Sequence, residues 1–241
     1  MSESASGDAA KLTLYRGWLD RGQYTWSPFV NKLEARLRFA GVSYKPDAGS
    51  VLKAPRAKIP YVDYQGPNSA QSEQLPDSTL IIERLVEDNV LPNLNARLSL
   101  VDRVHDLAIR SLLEEKLYSY RVRISQHPLL MRELWEENYY NMREKTLCTL
   151  PYPLRVLVGL MIYRKVNKML VMRGINRYTA DEIRSFRDEI WSSVNVLLGE
   201  SKGKTTQNEK SKVFWILGGD EPTEADATLF GFIMCIFVCK A

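Results

Sequence analysis

The chain has little cysteine and less histidine. Its three cysteines, Cys148, Cys235 and Cys239, form no CxxC pair. An odd number without that spacing supports neither a disulfide framework nor a zinc site, and a reducing compartment fits best. The two histidines, His105 and His127, are far apart in sequence, which argues against a histidine-based triad or metal site. No basic run interleaves with aromatic residues. A net charge of +4 over 241 residues is too mild and too dispersed to indicate nucleic-acid binding. The longest apolar stretches, Leu154–Met161 and Leu229–Val238, are too short to cross a bilayer, so no integral membrane segment is expected. Residues 1–10 lack the basic and then apolar order of a signal peptide and are expected to form a disordered tail. What is present is an ordinary globular composition, 45% hydrophobic and 26% charged. The length allows one large domain or two small ones with real cores.

Periodicity orders the first part of the chain. Residues 11–15 alternate polar and apolar and predict a strand. Phe29, Leu33 and Leu37 recur at helical spacing, opposed by Lys32, Glu34, Arg36 and Arg38, which predicts an amphipathic helix ended by Gly41. Short strands are expected over residues 42–44 and 59–64, and a weaker one near 72–75. Asp77 is placed to cap a helix reaching about Asp88, with Leu80, Ile81 and Leu85 facing inward. Asn89–Asn95 reads as a linker. Nearly all that follows reads as helix, over 96–120, 128–143, 153–173, 179–198 and 223–238. Gly199–Lys212 is polar, charged and aperiodic, and reads as a mobile loop. Thr223-Glu-Ala-Asp226 is a variant capping box, whose role is folding. Leu229, Phe232, Ile233 and Ile236 form the expected buried stripe behind it, and Cys235 and Cys239 are expected to pack inside.

Three short motifs could carry chemistry. In Ser27-Pro28-Phe29-Val30, proline at the first helical position makes Ser27 an N-cap, and that reading is complete in itself. The functional reading adds that a helix N-terminus, with its partial positive charge and free N–H groups, favours a thiolate. Tyr15, Tyr24 and Trp26 flank the position, and Tyr24 is a second candidate hydroxyl. In Lys58-Ile59-Pro60, the plain reading is a proline opening a strand. In Asp77-Ser78, it is a helix cap followed by a polar first-turn residue.

The string Ser27 to Tyr44, Ser-Pro-Phe-Val-Asn-Lys-Leu-Glu-Ala-Arg-Leu-Arg-Phe-Ala-Gly-Val-Ser-Tyr, resembles the glutathione S-transferase-like group that includes metaxins and failed-axon-connections proteins. Their corresponding helix reads Ser-Pro-Phe-x-x-Lys-Leu-Glu, followed by Arg, Ala, Gly and an aromatic. The resemblance implies an α+β thioredoxin-like N-terminal domain over 11–88, a linker over 89–95 and an all-α domain over 96–241. It also implies that Ile59–Pro60 is a cis peptide whose backbone meets the cysteinyl part of glutathione. Asp77 would pair with the γ-glutamyl ammonium, while Ser78 and nearby N–H groups would take the carboxylate. Lys58 would reach a glutathione carboxylate, beside its plainer reading as a solvated lysine. The spacing from Pro60 to Asp77 is longer than usual, owing to Gln65–Pro76.

Glutaredoxins and thioredoxin-like proteins carry Cys-Pro-x-Cys where this chain has Ser27 and Val30. Thiol–disulfide exchange needs a thiolate nucleophile, so that mechanism is rejected. Two readings stay open. In the first, the protein is a serine-type glutathione transferase that uses glutathione as cosubstrate, needs no metal and conjugates it to a small hydrophobic electrophile. In the second, it is a non-catalytic, metaxin-like interaction or transport-associated protein. The enzyme reading leads, because three ligand-contact positions keep suitable chemistry. The resemblance also allows a homodimer. The expected compartment is the cytoplasm, with mitochondrial outer-membrane association through a partner as the other option.

Overall fold

The structure is a computed structural model that describes residues 11–17, 23–50, 53–67, 69–120, 151–206 and 213–240. By internal contacts the chain divides into two compact units, Met1–Arg97 with Ala227–Ala241, and Leu98–Asp226.

In the first unit the elements run β1 (Lys11–Tyr15), α1 (Pro28–Phe39), β2 (Lys45–Asp47), β3 (Tyr61–Gln65), β4 (Glu73–Pro76) and α2 (Ser78–Glu87). The sheet order is β2-β1-β3-β4. β1 pairs parallel with β2, while β1–β3 and β3–β4 are antiparallel. This is the thioredoxin-like arrangement expected from the element order. Leu12 and Leu14 of β1 alternate inward and meet Val62, Leu33, Leu37, Ile81 and Leu85 in one core. Both outer strands contain a proline, Pro46 in β2 and Pro76 in β4, where a missing N–H is tolerated.

β2 starts later than the expected 42–44. Gly41 has φ +65°, its N–H donates to the Arg38 carbonyl at 3.1 Å, and the Val42 N–H donates to Leu37 at 3.0 Å. The chain reversal that closes α1 therefore occupies the positions assigned to the strand, and pairing with β1 begins at Thr13↔Lys45.

α1 also departs from its expected pattern. Lys32, Glu34 and Arg36 were expected in solvent, yet they are 1%, 2% and 0% exposed, and only Arg38 is exposed. Each buried charge has a partner. Arg16 Nε lies 2.8 Å from Glu34 Oε1, and the Tyr44 hydroxyl donates to the same oxygen at 3.0 Å. Arg36 donates to the Pro92 carbonyl, and Lys32 Nζ donates to Thr79 Oγ1 at 3.1 Å. α1 is thus buried on nearly all sides and anchored by polar contacts to the loop before it, the first turn of α2 and the segment after α2. On its last buried side lies the far part of the final helix, α6 (Glu224–Lys240). A Cβ at Gly231 of α6 would stand 2.4 Å from the Pro28 carbonyl oxygen and 2.8 Å from the Lys32 nitrogen.

In the second unit α3 (Leu100–Ser111) begins at a Ser99 cap, whose hydroxyl accepts from the Asp102 N–H at 3.1 Å, and it passes into a π-helical turn over Leu112–Leu117. α4 (Tyr152–Met172) and α5 (Ala180–Thr206) follow. The helix expected over 128–143 lies outside the described residues. The expected loop over 199–212 is helical through Thr206. An i,i+4 pair between Glu200 and Lys204 at 3.0 Å and the burial of Ser201 extend α5 through that stretch. The capping box is formed as expected. Asp226 Oδ2 accepts from the Thr223 N–H and hydroxyl, both at 2.8 Å, and Oδ1 accepts from the Ile216 N–H at 2.7 Å. Asp106, fully buried, accepts from the Ala225 N–H at 2.8 Å. Among the described residues, no helix is long and apolar enough to cross a membrane.

Candidate functional site

The first wall of the site is the loop leading into α1. Asn31 looks back from the second turn and clamps that loop: its Oδ1 accepts from the Thr25 N–H and its Nδ2 donates to the Thr25 carbonyl, both at 2.9 Å. Thr25 Oγ1 in turn accepts from the Ser27 N–H at 3.2 Å. Thr25 and Asn31 are both buried. Held this way, Ser27 adopts extended backbone angles and caps α1, with its Oγ accepting from the Val30 N–H at 3.4 Å. That is a long bond. It uses an acceptor site and leaves the hydroxyl proton free to donate. The sequence reading placed Ser27 here but missed Asn31. An asparagine three residues beyond a helix-opening proline, on the side of Pro28, was the available signal.

Trp26 and Tyr24 are tied to the end of α6. Cys235 Sγ donates to the Trp26 carbonyl at 2.8 Å, and the Tyr24 ring meets Phe230 edge-on at 5.5 Å. Arg38 stands over the Tyr24 ring at 5.6 Å. Tyr15 points elsewhere: its hydroxyl donates to Asp63 at 2.6 Å on the sheet, and this bond, followed by burial, raises its pKa to about 12.

The second wall is the turn before β3. The Ile59–Pro60 peptide is cis, as expected. Among the described residues, neither the N–H nor the C=O of Ile59 has a backbone hydrogen-bond partner. The Pro60 carbonyl accepts from the Asp77 N–H at 3.3 Å, which joins the proline turn to the start of α2.

The third wall is the N-terminus of α2. Asp77 accepts through Oδ1 from the Thr79 N–H at 2.9 Å and is exposed, and its backbone sits at φ +71°, a conformation that costs a non-glycine residue energy. Ser78 is 2% exposed and opens the helix. Lys32, buried in α1, reaches Thr79 in the same turn. Asp77, Ser78 and Pro60 are therefore joined in one corner, and Lys32 ties that corner to α1, whose first turn Ser27 caps. Lys58 stands apart as an exposed side chain. Among the described residues, no three His, Cys, Asp or Glu side chains group as a metal site.

A four-stranded thioredoxin-like sheet with a cis-proline turn, followed by a region whose described elements are all helical, defines the class. The particular architecture is that of the glutathione S-transferases. A family model of the glutathione S-transferase N-terminal domain matches residues 28–135. Glutathione transferase GSTFuA3 from Phanerochaete chrysosporium is similar in structure with a TM-score of 0.55 at 14% identity, over 95% of this chain and 85% of that one. Ure2p in complex with glutathione is similar with a TM-score of 0.50 at 12% identity, over 96% of this chain and 82% of that one. A maleylacetoacetate isomerase from Anaeromyxobacter dehalogenans 2CP-1 with glutathione in its active site stands at a TM-score of 0.46 and 16% identity, over 96% of this chain and 82% of that one. No curated protein matches in sequence.

Proposed function

We propose that the protein binds glutathione in the corner formed by Ser27, Ile59–Pro60 and Asp77–Ser78, and that it conjugates glutathione to a small hydrophobic electrophile. The carrying observation is the convergence of the cis Ile59–Pro60 turn with the start of α2 through the Asp77–Pro60 bond. The N–H and C=O of Ile59 suit the cysteinyl backbone. The exposed Asp77 carboxylate suits the γ-glutamyl ammonium, and the Ser78 hydroxyl with the first N–H groups of α2 suits its carboxylate. Lys58, being exposed, is the weakest of the assigned contacts.

The chemical role falls to Ser27. Lowering the glutathione thiol by two pKa units takes ~2.7 kcal/mol. The N-terminus of α1 supplies ~0.3–2 kcal/mol, and a hydroxyl donating to the charged sulfur adds ~1.5–3 kcal/mol. Together they suffice, while the helix end alone falls short. The thiolate then attacks the electrophile, a C–S bond forms, and either a leaving group departs with the displaced electron pair or a proton from water neutralises the adduct. Tyr24 is the alternative hydroxyl. The second reading, a non-catalytic metaxin-like interaction or transport-associated protein, is favoured by the engagement of Ser27 Oγ as a helix cap. A cytoplasmic location and a homodimer belong to the first reading; mitochondrial outer-membrane association through a partner belongs to the second.

Calorimetric titration with glutathione separates the two readings. Binding that is lost in Asp77→Ala and in Ser78→Ala supports the site, and a Ser27→Ala variant that binds glutathione but loses turnover supports the role of Ser27. No binding at millimolar glutathione selects the interaction protein.

A further inference from the structure

The outward face of α4 carries side chains that water disfavours. Leu154, Leu157, Leu160 and Met161 are 42–60% exposed. The face continues to Val171 and Met172, which are 56% and 78% exposed. Arg164 and Lys168 stand exposed between the two groups. At 3.6 residues per turn these positions all fall within a sector about 120° wide. Val158 and Gly159 lie outside that sector and are buried. A surface helix ordinarily turns its polar side to solvent. Within this sector, the described large side chains are six apolar residues and two cations, with no carboxylate and no neutral polar group among them. The surrounding sequence shares the bias. No Asp or Glu occurs from Thr146 to Ala180, while Lys165 and Arg177 add further positive charge; Arg173 is paired with Glu115 at 3.1 Å.

We propose that this face of α4 lies on an anionic phospholipid surface, reversibly and parallel to it. The helix is about 30 Å long, so the whole stripe can lie in the interfacial plane. Its leucine and methionine side chains would enter the boundary between headgroups and acyl chains, and Arg164 and Lys168 would extend to the phosphates. The helix is not apolar enough to cross the bilayer. Pairing with a second copy is disfavoured, because a two-fold contact would press Arg164 and Lys168 of both copies onto a face without an acid to meet them. A groove in an acidic protein would need hydrogen-bonding side chains to fix register, and among its described side chains the face offers none besides its two cations. A fluid anionic surface needs only the apolar area and the charge.

The test is co-sedimentation of the full chain with phosphatidylcholine vesicles and with vesicles of phosphatidylcholine and phosphatidylserine. Binding is expected only to the second kind and should weaken as salt is added. Arg164→Gln with Lys168→Gln should lower partitioning on the order of thirtyfold at low salt, from about a fivefold loss for each cation near the surface. Leu157→Gln with Met161→Gln should lower it at every salt concentration. Lys202→Gln with Lys204→Gln, on exposed positions of α5, should leave it unchanged, and circular dichroism should show all three variants folded. Failure to pellet with anionic vesicles overturns the proposal and returns the face to an acidic protein or to cover by the chain itself. Wild-type binding in either α4 variant also overturns it.

Discussion

At the scale of the residue, the glutathione contact proposed for Asp77 would be set against stability. Its φ of +71° is a glycine-like conformation, and the residue holds it with an exposed carboxylate that accepts from the Thr79 N–H. Strain of this kind costs about 1–3 kcal/mol. Asp77→Gly should therefore hold or raise stability in a urea titration, since relief of strain offsets the lost cap, while glutathione binding falls. A clear drop in stability would mean that Asp77 is a structural cap and little else. Tyr15 offers a pH test. Its hydroxyl is raised from 10.0 to about 12, first by the bond to Asp63 and then by burial. Because the folded value lies above the unfolded one, its contribution to stability is complete below pH 10 and is lost as pH rises through about 12. Tyr44 and Tyr64 are also raised, first by burial, so ultraviolet tyrosine titration should show several late-ionising groups, of which Asp63→Asn moves only the Tyr15 one back toward the ordinary value. The Ser27 and Asp77 caps were legible in sequence, because each depends on a local pattern, whereas the cis bond at Pro60 was implied by the family resemblance. Asn31 was not, since its partner Thr25 is fixed only once the loop folds back onto the helix.

At the scale of the element, α1 is where the sequence misled most. Lys32, Glu34 and Arg36 alternate with apolar positions as a solvated face would, and charged residues are rarely buried. Their partners, Arg16, Tyr44, Thr79 and the Pro92 carbonyl, come from other parts of the first unit, and no helical period reveals them. α5 misled in the opposite sense. Its two glycines suggested a loop, yet neither Gly199 nor Gly203 has anything within 4 Å of a built Cβ, so the helix simply carries them. This contrast yields a paired prediction. Gly203→Ala should stabilise by about 0.5–1 kcal/mol, because alanine favours helix and nothing obstructs it. Gly231→Ala should destabilise by about 1–3 kcal/mol, because its methyl meets backbone atoms of α1 that cannot step aside. Denaturant midpoints of the two variants should shift in opposite directions, and equal shifts would contradict the close approach of α6 to α1.

At the scale of the whole molecule, the order of the described elements was readable from the sheet to the final capped helix. The exact span of β2 and the reach of α5 were not, because tertiary contacts set both. The capping box at Asp226 holds the start of α6 by serving the buried Thr223 and Ile216 N–H groups together. Burial raises its carboxyl pKa, so its stabilising contribution is complete below the unfolded value and declines as pH rises through the folded one. Asp226→Ala leaves both N–H groups unserved and should cost about 2–6 kcal/mol, from roughly 1–3 for each. Chemical denaturation measures this, and Asp226→Asn, which keeps one acceptor, should fall between that variant and the wild type.

The sheet itself has a social consequence. An open β-edge invites strands from neighbouring molecules, and a chain with two such edges can polymerise. Here each outer strand carries a proline, Pro46 on one border and Pro76 on the other. A foreign strand arriving at either border finds the row of donors interrupted. Crowded copies of this protein are thereby less able to pair edge to edge through this sheet.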